Sequence, residues 1–153
     1  MKVLATERFP GPAWAELTDV ELLTAPLPDG VLERRDDVEA LAVVHEVVDE
    51  RTLDLLPALR LVANYGVGYD GVNVAACAAR GIPVTNTPGV LDNATADLTF
   101  ALVLATRRRL VEGDALLRRG VWASERDGFL GEDVSGATLG IVGLGGIGRA
   151  VAR

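Results

Sequence analysis

The sequence predicts an α/β fold built on a parallel sheet, and three observations lead there. Short apolar runs recur through the first ninety residues, separated by segments whose apolar residues have helical spacing. Those runs do not alternate apolar with polar, as expected of strands covered on both faces. Near the end, an apolar run passes through a glycine turn into a helical pattern. Taken in order, Lys2–Ala5 reads as the first strand and Val20–Leu23 as the second. Ala40–Val44, Leu61–Ala63 and Pro83–Asn86 read as the third, fourth and fifth. Asp49–Leu59 and Val72–Arg80 are the intervening helices, with Leu53, Leu56 and Leu59 forming one apolar stripe. The pattern changes at Asn86-Thr87-Pro88-Gly89, where proline and glycine break regular structure.

A long helix follows over Asp92–Arg109, with Asp92 or Asn93 as its N-cap and three arginines at the end, where cations suit the helix dipole. Between Ala94 and Ala105 it carries only Asp97 as a charge. A helix apolar nearly all round is expected to be buried between layers or domains. Gly113–Gly120 reads as a short polar helix and Trp122–Val134 as a loop. Leu139–Val142 reads as a strand and Ile147–Arg153 as the start of a helix.

Composition narrows the function. The 153 residues carry a formal net charge of -7, which argues against electrostatic binding of nucleic acid or of a membrane surface. The hydrophobic fraction of 49% supports a real core. One cysteine, Cys77, rules out an internal disulfide framework and a multi-cysteine zinc site, so no metal is expected. Cys77 sits on an apolar helix face and reads as a small buried hydrophobe. No apolar run reaches the ~18 residues of a membrane span. The N-terminal apolar run is too short for a signal peptide, so a cytoplasmic protein is expected.

Gly143-x-Gly145-x-x-Gly148 matches the dinucleotide fingerprint. Gly143 permits a tight turn, Gly145 lets backbone approach a pyrophosphate, and Gly148 lets helix pack close on strand. The amides of Gly146 and Ile147 would then face the phosphates. Only five residues follow Gly148. The acidic residue expected about 20 positions further on, which holds the ribose, lies outside them. The reading is therefore the N-terminal part of a larger protein, against a complete small protein with an accidental match.

Several ordered motifs carry a family resemblance. They are Asn64-Tyr65-Gly66-Val67-Gly68-Tyr69-Asp70-Gly71-Val72-Asn73, then Ala79-Arg80-Gly81-Ile82-Pro83-Val84, Asn86-Thr87-Pro88-Gly89-Val90-Leu91 and Ala94-Thr95-Ala96-Asp97-Leu98, and finally Gly136 through Gly145. This arrangement resembles the D-isomer-specific 2-hydroxyacid dehydrogenases. Glu112–Asp133 looks most like the glyoxylate/hydroxypyruvate reductase branch. The resemblance implies a flavodoxin-like parallel-sheet substrate domain over residues 1–91. The truncated start of a Rossmann NAD(P)-binding domain would occupy 92–153. It implies NAD or NADP as cofactor, a small 2-oxo or 2-hydroxy acid as substrate, and a homodimer in the full-length protein. Arg118, Arg119 and Trp122 are candidates for its interface.

Carried over residue by residue, the amides of Val67 and Gly68 hold the substrate carboxylate. Thr95, Gly143, Gly145, Gly146, Ile147 and Gly148 contact the cofactor. Asp70 is read as a cap of the next helix. The family's catalytic Arg, Glu and His follow the fingerprint and have no matching position here, so no catalytic residue is assigned. The chain alone is expected to be inactive. His45, the only histidine, is read as a strand-end residue. Two departures stand out: Gly146 replaces the usual Arg, and Asn93 stands near a usual acid. Two alternatives remain open: a dinucleotide-sensing binding protein of the corepressor type and a truncated pseudo-enzyme.

Overall fold

Five short strands pair in parallel in the order β2-β1-β3-β4-β5. They are β1 Val3–Ala5, β2 Val20–Leu22, β3 Ala40–Val43, β4 Leu61–Asn64 and β5 Val84–Thr85. This is a computed structural model, and it describes residues 1–23, 27 and 33–153. The chain divides into two compact units, Met1–Pro88 and Gly89–Arg153.

Register explains how the first unit packs. Leu4, Leu41, Val62 and Val84 stand side by side across four strands. They feed a core completed by Val48, Leu53, Leu56, Leu59, Val72, Cys77 and Ile82. The alternate positions Ala5, Ala42, Ala63 and Thr85 form a second row of small side chains. Two helices connect the strands: α1 Glu50–Leu55, between β3 and β4, and α2 Val74–Ala79, between β4 and β5. Both crossovers step the same way along the sheet, so right-handedness puts both helices on one face. That face is the large-residue one, since Leu53, Ala76 and Cys77 share its core.

Helix boundaries differ from the sequence reading for local reasons. The first helix stops at Leu55 and not Leu59, because Pro57 has no N–H to continue the ladder. Leu56 and Leu59 stay buried all the same. Asp49 caps α1 by accepting the Thr52 N–H at 2.9 Å. The cap of α2 is Asn73, whose Oδ1 accepts the Ala76 N–H at 3.0 Å. Asp70 is not the cap, because a turn closed by Val72 N–H on Tyr69 C=O intervenes before the helix starts. A short 3₁₀ turn at Pro12–Glu16, which the sequence reading left unassigned, opens on proline where its missing N–H costs nothing.

An ion-pair network closes the outer edge of this sheet. Arg35 grips both Glu21 carboxylate oxygens at 2.7 and 2.8 Å, and Lys2 Nζ reaches Asp37 at 2.7 Å and Glu21 at 3.2 Å. Glu21 lies on the edge strand β2, where charge discourages pairing with another chain. The Arg35 hydrogen bonds, then Lys2, hold the Glu21 carboxyl down at about 2.

The second unit is helical: α3 Asp92–Arg107, α4 Leu110–Arg118, α5 Trp122–Glu125 and α6 Gly146–Val151. The expected single helix to Arg109 breaks earlier. Arg109 adopts a left-handed backbone (φ 52°), and the polar helix starts at Leu110 instead of Gly113. Neither Asp92 nor Asn93 is the N-cap; Leu91 is, and Asp92 is the first helical residue. The segment 122–134 is not all loop, since it holds α5, with Trp122 packed edge-on against Phe129. The strand expected at Leu139–Val142 does not form, because no neighbouring strand is there to pair with it among the described residues, and Val142 is fully exposed. Nor is α3 buried as expected: of its residues only Ala96 is buried, and Leu98, Leu102 and Leu104 are exposed.

Candidate functional site

Asn64 and Asn86 stand at the carboxyl ends of β4 and β5, and ligands of open α/β sheets gather at that edge. The segment Tyr65–Gly68 leaves β4 there. Its shape follows from Asn64, the last residue of β4, which is 4% exposed and sits beside Val43 on the core face. Too buried to reach water, its amide must find partners within the protein. It donates to the carbonyls of Gly66 at 3.1 Å and Gly68 at 2.8 Å.

Asn86, just past β5, donates to the carbonyl between them, Val67, at 2.9 Å. The Thr87 N–H adds a second bond to Gly66 C=O at 2.9 Å. Three successive carbonyls are therefore tied back. Among the described residues, the N–H groups of Val67 and Gly68 donate to nothing, and both residues are exposed. Two successive exposed N–H groups without a partner are donors that an anion can take. A carboxylate, which only accepts, fits that set.

The neighbouring turn is equally fixed. The Glu46 carboxylate folds back to accept the N–H groups of Val44 at 2.9 Å and His45 at 3.1 Å. Burial pushes its carboxyl up, but those backbone donors outweigh burial and leave it below its ordinary value. A side chain on Gly71 would stand 2.6 Å from the Glu46 carbonyl, so glycine is required for this approach. His45 is exposed at the end of β3 and takes part only through its backbone in these bonds. Cys77 is fully buried in α2; burial pushes its thiol up and so disfavours the reactive thiolate.

A recess of about 380 Å³ lies over the small-residue row. Ala42, Ala63 and Thr85 form its floor, and Phe9, Trp14 and Tyr65 its aromatic wall. Phe9 sits 5.4 Å from Trp14 and 5.1 Å from Tyr65, centroid to centroid. Sequence reasoning missed this cluster, and also missed Asn64 and Asn86 as clamps. The available signal was an amide residue closing each of two apolar strands.

The glycine turn belongs to the second unit. Gly143 has φ 93°, a conformation L side chains rarely adopt. Gly145 caps α6 and has open space where a side chain would project. A side chain on Gly148 would run into the Gly143 carbonyl oxygen, which is the close packing its place in the fingerprint requires. The geometry of all three glycines fits a backbone that a pyrophosphate could approach. A side chain on Gly146 would meet the carboxylate of Asp92, which faces the start of α6. That carboxylate suits the positive end of the helix but opposes a second anion beside it. Thr95 lies half-buried in the first turn of α3, its N–H bonded to the Leu91 carbonyl at 2.9 Å. Arg118 pairs with Asp114 at 2.7 Å and Arg119 with Glu125 at 2.6 Å. Among the described residues no group of three or more His, Cys, Asp or Glu could hold a metal, and no helix is long and apolar enough to cross a membrane.

Comparison with known proteins places this geometry. The catalytic domain of the D-isomer specific 2-hydroxyacid dehydrogenases matches residues 3–142. A glyoxylate reductase of Thermococcus gammatolerans is 52% identical over 131 residues, covering 80% of this chain and 39% of that protein. The crystal structure of the TT0316 protein from Thermus thermophilus superposes with a TM-score of 0.87 at 44% identity, over 99% of this chain and 51% of that one. An NADPH-dependent glyoxylate/hydroxypyruvate reductase from Sinorhizobium meliloti, solved with NADP and malonate, gives a TM-score of 0.78 at 36% identity. It is covered to 49%, against 99% of this chain. The chain thus spans about half the length of the solved structures, and less of the curated relatives.

Proposed function

The chain belongs to the D-isomer specific 2-hydroxyacid dehydrogenase family, and we propose that it supplies the substrate-binding part of an NAD(P)-dependent reductase of small 2-oxo acids, glyoxylate and hydroxypyruvate foremost. The observation that carries this reading is the loop after β4: the Gly66, Val67 and Gly68 carbonyls are tied back while, among the described residues, the Val67 and Gly68 N–H groups have no partner. These two amides hold the substrate carboxylate. Asn64 and Asn86 fix the loop in advance, so little ordering remains to be done on binding.

Gly143, Gly145, Gly146, Ile147 and Gly148, with Thr95, form the start of the dinucleotide site. The bound nicotinamide would supply or accept the hydride. Residues of this chain bind and orient; none is assigned the proton transfer, and His45 is not its donor. The complete protein is read as a cytoplasmic homodimer, with Arg118, Arg119 and Trp122 at the interface.

The test is substrate-dependent oxidation of NADH and NADPH, followed with glyoxylate and hydroxypyruvate. The 153-residue chain is expected to show no turnover, and the whole product of its gene to show it. Turnover by the chain alone would overturn the assignment of catalysis elsewhere. An inactive whole product would overturn the reductase reading.

A further inference from the structure

Both ends of the loop that carries the two amides are held by one stretch of chain. At the start, the Tyr65 N–H donates to the carbonyl of Val43, the last residue of β3, at 2.7 Å. Past the end, Gly71 and Asn73 close on Val48. The Val48 N–H donates to the Gly71 carbonyl at 2.9 Å, and the Val48 carbonyl accepts the Asn73 N–H at 2.9 Å. Between Val43 and Val48, residues 44–47 lie in no helix or strand. Glu46 closes this turn: its Oε2 accepts two N–H groups, from Val44 at 2.9 Å and from His45 at 3.1 Å. Thr52 adds only a long bond, from Oγ1 to the Val47 carbonyl at 3.5 Å. The backbone carbonyl of Glu46 lies against Gly71, where a side chain would stand 2.6 Å away. One residue thus closes the turn with its side chain and meets the far end of the loop with its backbone.

Resting on the reading of Val67 and Gly68 as the carboxylate cradle, we propose that Glu46 is a positioning residue for that cradle. Its carboxylate sets the turn, and the turn sets where Val48 and the Glu46 carbonyl stand. Those groups hold Gly71 and Asn73, and so fix the far end of the loop. Asn64 and Asn86 shape the loop from within; Glu46 holds it from outside and touches no substrate. Without the acceptor, the Val44 and His45 N–H groups would turn to water and residues 44–47 could vary. The loop would then have to be ordered on binding, which lowers affinity by roughly tenfold. The acceptor matters here and the charge does not, because one oxygen takes both N–H groups and an amide oxygen has two lone pairs to do the same.

Two variants separate the acceptor from the rest of the side chain. Glu46→Met keeps the length and removes the acceptor; Glu46→Gln keeps an acceptor and removes the charge. Oxamate is titrated into each chain, with the Val67 and Gly68 amide resonances followed by NMR. Glu46→Met should bind about tenfold more weakly than wild type, and Glu46→Gln should stay within about twofold of it. In the ligand-free Met variant the Val67 and Gly68 resonances should already have moved, while those of β2, at the far edge of the sheet, stay in place. Gly71→Ala pushes the Glu46 carbonyl away from the loop side and should weaken binding likewise, which tests the same contact with Glu46 left as it is. Wild-type affinity in Glu46→Met or in Gly71→Ala would overturn the positioning role and leave the cradle standing. A Gln variant as weak as the Met variant would overturn the role of the acceptor. Absence of any shift at Val67 and Gly68 when wild type meets oxamate would overturn the cradle itself, and the positioning role with it.

Discussion

The two units solve the burial problem differently. Met1–Pro88 sets a row of large residues across four strands under two helices, and Leu4, Leu41, Val43, Val48 and Val62 are fully buried there. Gly89–Arg153 buries only Ala96 and Val151 among its described hydrophobic residues, while Leu98, Leu102, Val111, Leu130, Val142 and Leu144 stay exposed. Strands in the first unit find neighbours and become a sheet. The apolar run Leu139–Val142 has the composition of a strand but no neighbour among the described residues, and it stays unpaired. Strand formation is a property of pairing, so composition alone cannot deliver it.

The largest expected effects sharpen that contrast. Leu41→Ala should cost about 2–5 kcal/mol in chemical denaturation, as a core truncation that leaves a cavity. Leu98→Ala, on the exposed face of α3, should stay within about 0.5 kcal/mol. Equal effects would mean that the second unit has a core of its own.

The next effect sets one glycine against another. Gly71→Ala should destabilise by about 1–3 kcal/mol, because the new methyl would stand 2.6 Å from a backbone carbonyl that cannot move aside. Gly145→Ala enters open space at an ordinary backbone angle and should leave stability nearly unchanged. Thermal melts of the two variants decide this.

Much of this was legible before any coordinates. All five strands stand where apolar runs occur, and the glycine turn stands where its spacing puts it. Several departures share one cause: a neighbour in space, or the lack of one, changed what a residue does. Asp70 looked like a cap, but the Tyr69–Val72 turn delayed the helix to Asn73. The helix from Asp92 looked buried because its composition is apolar, yet nothing in its own unit covers Leu98 or Leu102. For Asn64 the sequence offers only an amide closing an apolar strand, since its role as a clamp depends on a core-facing register at the end of β4 and on a loop that returns to it.

Asn64→Ala would then test the clamp. The Gly68 carbonyl would lose its donor and the Gly66 carbonyl would keep only the Thr87 N–H, at a cost of about 1–3 kcal/mol. Binding of a small carboxylate should weaken with it, as read by amide shifts at Val67 and Gly68. Loss of stability with unchanged binding would show that the loop keeps its shape without the clamp.

Acid should produce the smallest effect. Glu21 is held at about 2 against its ordinary 4.5 by Arg35 and then Lys2, and the same partners hold Asp37 well below its ordinary value. Folding depresses these carboxyls, so their contribution is full above their ordinary range and fades as pH falls toward about 2. All of these groups are open to solvent, so the loss should be slight and should largely vanish at high salt. Melts from about pH 5 to about pH 2 at two salt concentrations would show it, and a loss insensitive to salt would point away from this network.

The central claim is that Val67 and Gly68 hold a carboxylate on their backbone amides. It is tested most directly by a crystal structure of the chain grown with oxamate, a stable stand-in for a 2-oxo acid. The account predicts a carboxylate oxygen about 3 Å from each of the two nitrogens, with the Asn64 and Asn86 bonds to the loop carbonyls intact. Oxamate bound elsewhere, or a loop whose amides turn inward while its carbonyls face solvent, would contradict it.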